Sequence, residues 1–176
     1  MRTHGAPQPI GLYDPAYEHD ACGTGFVASI DGLASHAIVR SAVQCVCNVT
    51  HRGAVSADAK TGDGAGILTQ IPHPLFAKAL KQLKAEPVPP GDLAVGVIFL
   101  PQDARARTAA ERHVEQTVTA SKLTLIGWRE VPVDPSVLGE EALETQPVIR
   151  HLLVRRPASV PVAELERRLF LARRRI

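Results

Sequence analysis

The run Leu93-Ala-Val-Gly-Val-Ile-Phe-Leu100 is the longest unbroken apolar stretch in the chain. Eight residues are far fewer than the ~20 that a membrane-crossing helix needs. A Pro-rich linker over 87–90 precedes the run and Pro101 follows it, so it reads as a β-strand. Similar punctuation organises the rest. Residues 22–30 read as a strand buried on both faces, closed by a turn at Asp31-Gly32. Ser35 caps a helix through about residue 49, with a wide apolar face of Ile38, Val39, Ala42, Val43 and Val46. A second strand is expected at 67–71, stopped by Pro72, and a helix at 73–84. Beyond the 93–100 strand follow a polar helix over 103–121, a strand over 123–130, a short helix at 140–144 and a strand over 148–154. Pro161 suits the first turn of a last helix over 162–175. Strands, paired helices and more strands predict an α/β or α+β layered domain.

Charge and cysteine usage narrow the class. A net charge of +2 argues neither for nor against an acidic partner. The arginine-rich end carries Glu164 and Glu166 beside an apolar stripe of Leu165, Leu169 and Ala172, so it reads as a solvated helix face rather than a nucleic-acid site. The first twenty residues are polar and interrupted by proline, unlike a secretory signal. Three cysteines, an odd number, point to reduced thiols in the cytoplasm. Cys45 and Cys47 are two apart in a helical stretch, without zinc-ligand spacing, and read as core residues rather than metal ligands.

Cys22 stands out for its chemistry. It lies in Asp20-Ala-Cys22-Gly-Thr-Gly-Phe26, where a cut before the cysteine would free an α-amino group. Such an amine, with a pKa of roughly 7.7–8.0, serves the thiol as its own base. Arg52, in His51-Arg-Gly-Ala54, offers a planar fork suited to a carboxylate. The glycine-rich string Thr61-Gly-Asp-Gly-Ala-Gly-Ile67 lacks the spacing of a dinucleotide or P-loop motif and leads into an expected strand. Its glycines predict positive φ or a close approach.

Together with Gly11-Leu-Tyr-Asp-Pro-Ala-Tyr-Glu-His-Asp-Ala-Cys22 and Gly127-Trp-Arg-Glu-Val-Pro-Val133, these strings resemble the class II glutamine amidotransferase domain that opens glutamate synthase large subunits. The resemblance runs through essentially the whole chain. It implies an N-terminal nucleophile hydrolase fold: an α+β, four-layer αββα sandwich, incomplete in this chain. It divides the sequence into a propeptide-like leader at 1–21 and the first part of an amidotransferase domain at 22–176. It implies Cys22 as nucleophile and Arg52 as the residue that holds the α-carboxylate of L-glutamine. The ammonia released would serve glutamate formation from 2-oxoglutarate, with FMN and an iron–sulfur cluster bound outside this chain. The expected partners are the rest of the large subunit and a small NAD(P)H-oxidising subunit, with no membrane or nucleic acid.

One departure matters. The family's oxyanion hole uses an Asn-Gly pair, whereas the one asparagine here, Asn48, precedes Val49. The parent family is enzymatic, but the 176-residue chain alone is expected to be inactive. The alternative is a non-catalytic piece with at most a partner-binding role.

Overall fold

The computed structural model describes Gly11 and residues 23–49, 53, 55–58 and 60–176. The expected leader (apart from Gly11), Cys22 and Arg52 lie outside the described residues. The chain divides into two compact units. The first takes in the described residues up to Ser56 together with Gly62–Ile67, the second Ala57–Thr61 and Leu68–Ile176.

Among its described residues the first unit contains one helix, α1 (His36–Asn48), started where expected by Ser35, whose hydroxyl accepts from the Ile38 amide. Two expectations fail in this part of the chain. Residues 23–29 carry no ladder, and Phe26 is 93% exposed. The segment 67–71 is likewise no strand, and Leu68 is fully exposed. A strand exists only when a neighbour takes up its backbone groups, and no described residue does so here. The core reading of the two α1 cysteines also fails: Cys45 is half-buried and Cys47 exposed, and α1 buries no residue fully.

The second unit is built on three antiparallel-paired strands in the order β1-β3-β2, namely β1 (Leu93–Leu100), β2 (Thr124–Glu130) and β3 (Val148–Arg155). The helices are α2 (His73–Gln82), α3 (Ala104–Ala120), α4 (Glu140–Glu144) and α5 (Val162–Arg175). Strand periodicity sends alternate β3 residues to opposite faces. On one face Leu152, Val154 and Ala94 meet Val114 and Val118 of α3, Leu165 of α5, and Leu123. On the other, Leu153 and Leu93 meet Phe76, Ala79 and Leu80 of α2. That second face is only partly covered: farther along β1, Val97 and Phe99 are 54% and 65% exposed. At the far end of the chain, α5 buries Leu165 and Ala172 and leaves Arg167, Arg173, Arg174 and Arg175 exposed, while the half-buried Arg168 donates to the Ser121 carbonyl.

The string 127–133 begins at a β-bulge. Leu125 and Gly127 oppose the consecutive β3 residues Val154 and Leu153, so Ile126 is an extra residue. Gly127 takes a φ of 155° there, with Leu83 of the loop after α2 close beside it. The extra residue resets the two-residue alternation. Ile126 therefore packs toward α2, while both Leu125 and Trp128 face α3. Trp128 Nε1 donates to Glu115 Oε1 at 2.8 Å. One residue on, Arg129 faces α2, and Glu130 pairs with Arg150, which also holds Glu111 of α3.

Helices α2 and α3 end alike. Lys84 and Lys122 take φ near +55° (54° and 57°), and the next residues, Ala85 and Leu123, donate back to Leu80 and Val118. These six-to-one bonds close both last turns. Arg156 then ties the end of β3 to the start of β1: its Nε donates to Asp92 Oδ1 at 2.7 Å and its Nη1 to the Val160 carbonyl.

His151 on β3 makes this fold sensitive to pH. Arg129 Nη1 donates to His151 Nδ1 at 3.1 Å, and because arginine only donates, the imidazole is neutral with its proton on Nε2. The ring meets Phe76 of α2 edge-on at 5.3 Å. Burial, and then the Arg129 charge, hold its pKa below the ordinary 6.5. The unfolded chain thus takes up a proton first as pH falls, so stability is full above about pH 6.5 and declines below it. Urea unfolding across pH 8 to about 5 should show this slope, and His151→Gln, which keeps an acceptor but does not titrate, should flatten it. An unchanged slope in that variant would exclude His151 as its source.

Candidate functional site

Both residues assigned from sequence, Cys22 and Arg52, fall outside the described residues, so the structure supplies their flanks. Behind Cys22, residues 23–29 run without regular structure to a turn in which Gly32 takes φ +70° and donates to the Ser29 carbonyl at 3.2 Å. Asp31 fastens that turn: Oδ1 accepts from Ser29 Oγ and from the Leu33 amide. These bonds, the Ser29 hydroxyl foremost, hold the Asp31 carboxyl below its usual range.

Gly25 lies against α1. A Cβ built there would sit 2.8 Å from Cys45 Sγ. Cys45 belongs to the half-buried stripe of α1 that includes Ile38, Ala42, Val46 and the capping Val49. Asn48, on the last turn, accepts from Gln44 Nε2 at 2.9 Å.

The glycine-rich string behaves differently from expectation. Val55 pairs with Gly62 in a single antiparallel bridge. Gly64 and Gly66 neither adopt positive φ nor have any atom within 4 Å of a built Cβ. Nothing in the structure explains why those two positions are glycine.

Sequence reasoning passed over Asp58. Its Oδ1 accepts from the Lys60 and Thr61 amides at 2.9 and 2.7 Å, and its Oδ2 from Thr61 Oγ1 at 2.6 Å. The Glu140 amide, at the start of α4, is a further donor, and together these bonds, led by the Thr61 hydroxyl, lower its pKa. The signal available in the sequence was an aspartate followed within three residues by a threonine, the usual start of an Asx turn.

No group of three or more His, Cys, Asp or Glu among the described residues could hold a metal ion. No described helix is long and apolar enough to cross a membrane.

The family described as Glutamine amidotransferases class-II matches residues 22–176, from the candidate cysteine to the last residue. The chain belongs to the class II glutamine amidotransferases. Within that family it is similar to glutamate synthases. It is 46% identical over 157 residues to ferredoxin-dependent glutamate synthase 2 of Synechocystis, covering 89% of this chain and 10% of that protein. To the large chain of NADPH glutamate synthase from Azospirillum brasilense it is 40% identical over 165 residues, 93% of this chain and 11% of the relative. NADH glutamate synthase of Schizosaccharomyces pombe matches at 38% over 165 residues, 93% and 8% of the two chains. The chain therefore spans about a tenth of the length of the curated relatives it matches. The mixed helices and small antiparallel sheet of this amidotransferase segment agree with that membership.

Proposed function

We propose that this segment is the opening part of the glutaminase domain of a glutamate synthase large subunit, with Cys22 as its nucleophile. The observation that carries the reading is a family match that begins at Cys22 and continues to Ile176. Residues 1–21 are then a leader whose removal frees the Cys22 amine. That amine takes the thiol proton, and the thiolate attacks the side-chain amide carbon of glutamine. The proton passes to the departing nitrogen, ammonia leaves, and water hydrolyses the γ-glutamyl thioester to glutamate. Arg52 holds the α-carboxylate through a two-pronged ion pair. In the complete protein the ammonia goes on to 2-oxoglutarate at a flavin site outside this segment, where FMN and an iron–sulfur cluster supply the reducing chemistry. The remaining large subunit and a small NAD(P)H-oxidising subunit are the proposed partners.

A four-layer αββα sandwich is the proposed complete fold. Its support is the open part of the sheet around Val97 and Phe99, where a further layer has room to pack. A second reading, that residues 1–176 alone are a non-catalytic piece, is favoured by one observation. The sequence has no Asn-Gly pair to supply oxyanion donors, each worth ~10²–10³ in rate.

Intact mass spectrometry of active full-length protein tests the first reading. The mature chain is expected to begin at Cys22. Active protein that retains residues 1–21, or is cut elsewhere, would overturn the amine-assisted mechanism.

A further inference from the structure

The contact between Gly25 and Cys45 bears directly on the proposed nucleophile. We propose that the two form a positioning pair, in which Cys45 Sγ is the wall that sets the backbone segment carrying Cys22. Only glycine at position 25 lets that backbone come so close. The proposal rests on reading Cys22 as the nucleophile.

Three observations carry it. Position 25 needs glycine for space rather than for backbone angle, because among the described residues the glycines with positive φ are 11, 32, 91 and 127, and a Cβ at 25 would lie 2.8 Å from sulfur. Gly64 and Gly66 meet nothing of the kind; Gly139, in the second unit, is the other described glycine pressed this closely, there by the Asp58 and Thr61 side chains. Finally, Cys45 is poorly able to yield. It sits on a helix started by the Ser35 cap, and a helical cysteine has one side-chain torsion with two comfortable wells.

Residues 23–29 have no ladder partner among the described residues, so the sulfur contact is a restraint the segment would otherwise lack. Covalent geometry keeps the Cα of Cys22 within about 11 Å of that of Gly25, so a shift at 25 is passed on to the thiol. Misplacing a reacting group by about 1 Å costs up to ~10²-fold in rate.

The test uses full-length protein carrying Gly25→Ala, Cys45→Ala, both together, or Cys45→Val. Ammonia release from glutamine gives kcat and KM, and a diazoketone analogue of glutamine reports the labelling rate at Cys22. Gly25→Ala should lower kcat and labelling about ten- to a hundredfold, with KM for glutamine within about twofold. The double variant should recover to within about threefold of Cys45→Ala alone, because the sulfur that clashed is gone. Cys45→Val, which crowds the same gap from the helix side, should repeat the kcat-selective loss and decides the matter if Gly25→Ala does not fold. A fully active Gly25→Ala, a loss that Cys45→Ala does not relieve, or an unaffected Cys45→Val would each overturn the proposal. A wild-type protein that hydrolyses glutamine without labelling at Cys22 would instead remove the nucleophile reading beneath it.

Discussion

Cys22→Ala is expected to take glutamine hydrolysis in the full-length protein below detection and to abolish labelling by a glutamine-mimicking electrophile. A nucleophile that works as part of a unit is worth up to ~10⁶ in kcat, because nothing else in the site can form the covalent intermediate. Arg52→Lys should behave differently. It keeps the charge but exchanges a planar two-pronged donor for a point charge. A hydrogen bond to a charged group is worth about 1.5–3 kcal/mol, so KM for glutamine should rise about tenfold or more with kcat little changed. Steady-state ammonia release separates the two effects. Residual Cys22→Ala activity near wild type, or glutamine dependence unaltered in Arg52→Lys, would remove the residue concerned from the site.

The largest effect on stability is expected at Leu153, which is fully buried between β1, β2 and α2. Leu153→Ala deletes an isopropyl group where both sheet neighbours and the Phe76–Leu80 face of α2 would have to collapse inward. Such truncations cost about 2–5 kcal/mol. Phe99, a larger side chain two-thirds exposed on the same face, should lose only about 0.5 kcal/mol or less on truncation to alanine. Urea unfolding of the two variants compares them directly. Equal losses would mean that the core does not lie where α2 covers the sheet.

Much of the second unit was legible because its signals are local. The three strands at 93–100, 124–130 and 148–155 are largely apolar stretches cut off by proline or polar turns, and the longer helices α2, α3 and α5 carry a cap or a periodic face. What failed depended on neighbours. Residues 22–30 have the composition of a buried strand, but burial is a property of what packs on them, and Phe26 is bare. The apolar face of α1 is real in the same sense, yet Val43 stands half exposed. The bulge was invisible because alternation along 124–130 gives no hint that Ile126 is an extra residue; it emerges only from pairing with β3. Cys22 and Arg52 were legible as residue types with the right chemistry and strings around them. Their neighbours were not: the Gly25–Cys45 approach joins positions twenty apart, and no spacing rule connects a glycine before a turn to a cysteine on the following helix.

The strand order has a consequence for how the chain is made. β3 lies between β1 and β2 but is the last of the three to be synthesised. When Leu100 has been added, about 55 residues remain before Arg155 completes the central strand. At roughly 5–20 residues per second that is an interval of several seconds, during which neither outer strand has a hydrogen-bonding partner. Leu93–Leu100, the most apolar run in the sequence, thus waits on the ribosome as a lone sticky segment. Synonymous codons that slow translation between the two strands would lengthen that wait, so the yield of native protein depends on the tempo of its synthesis as well as on its final contacts.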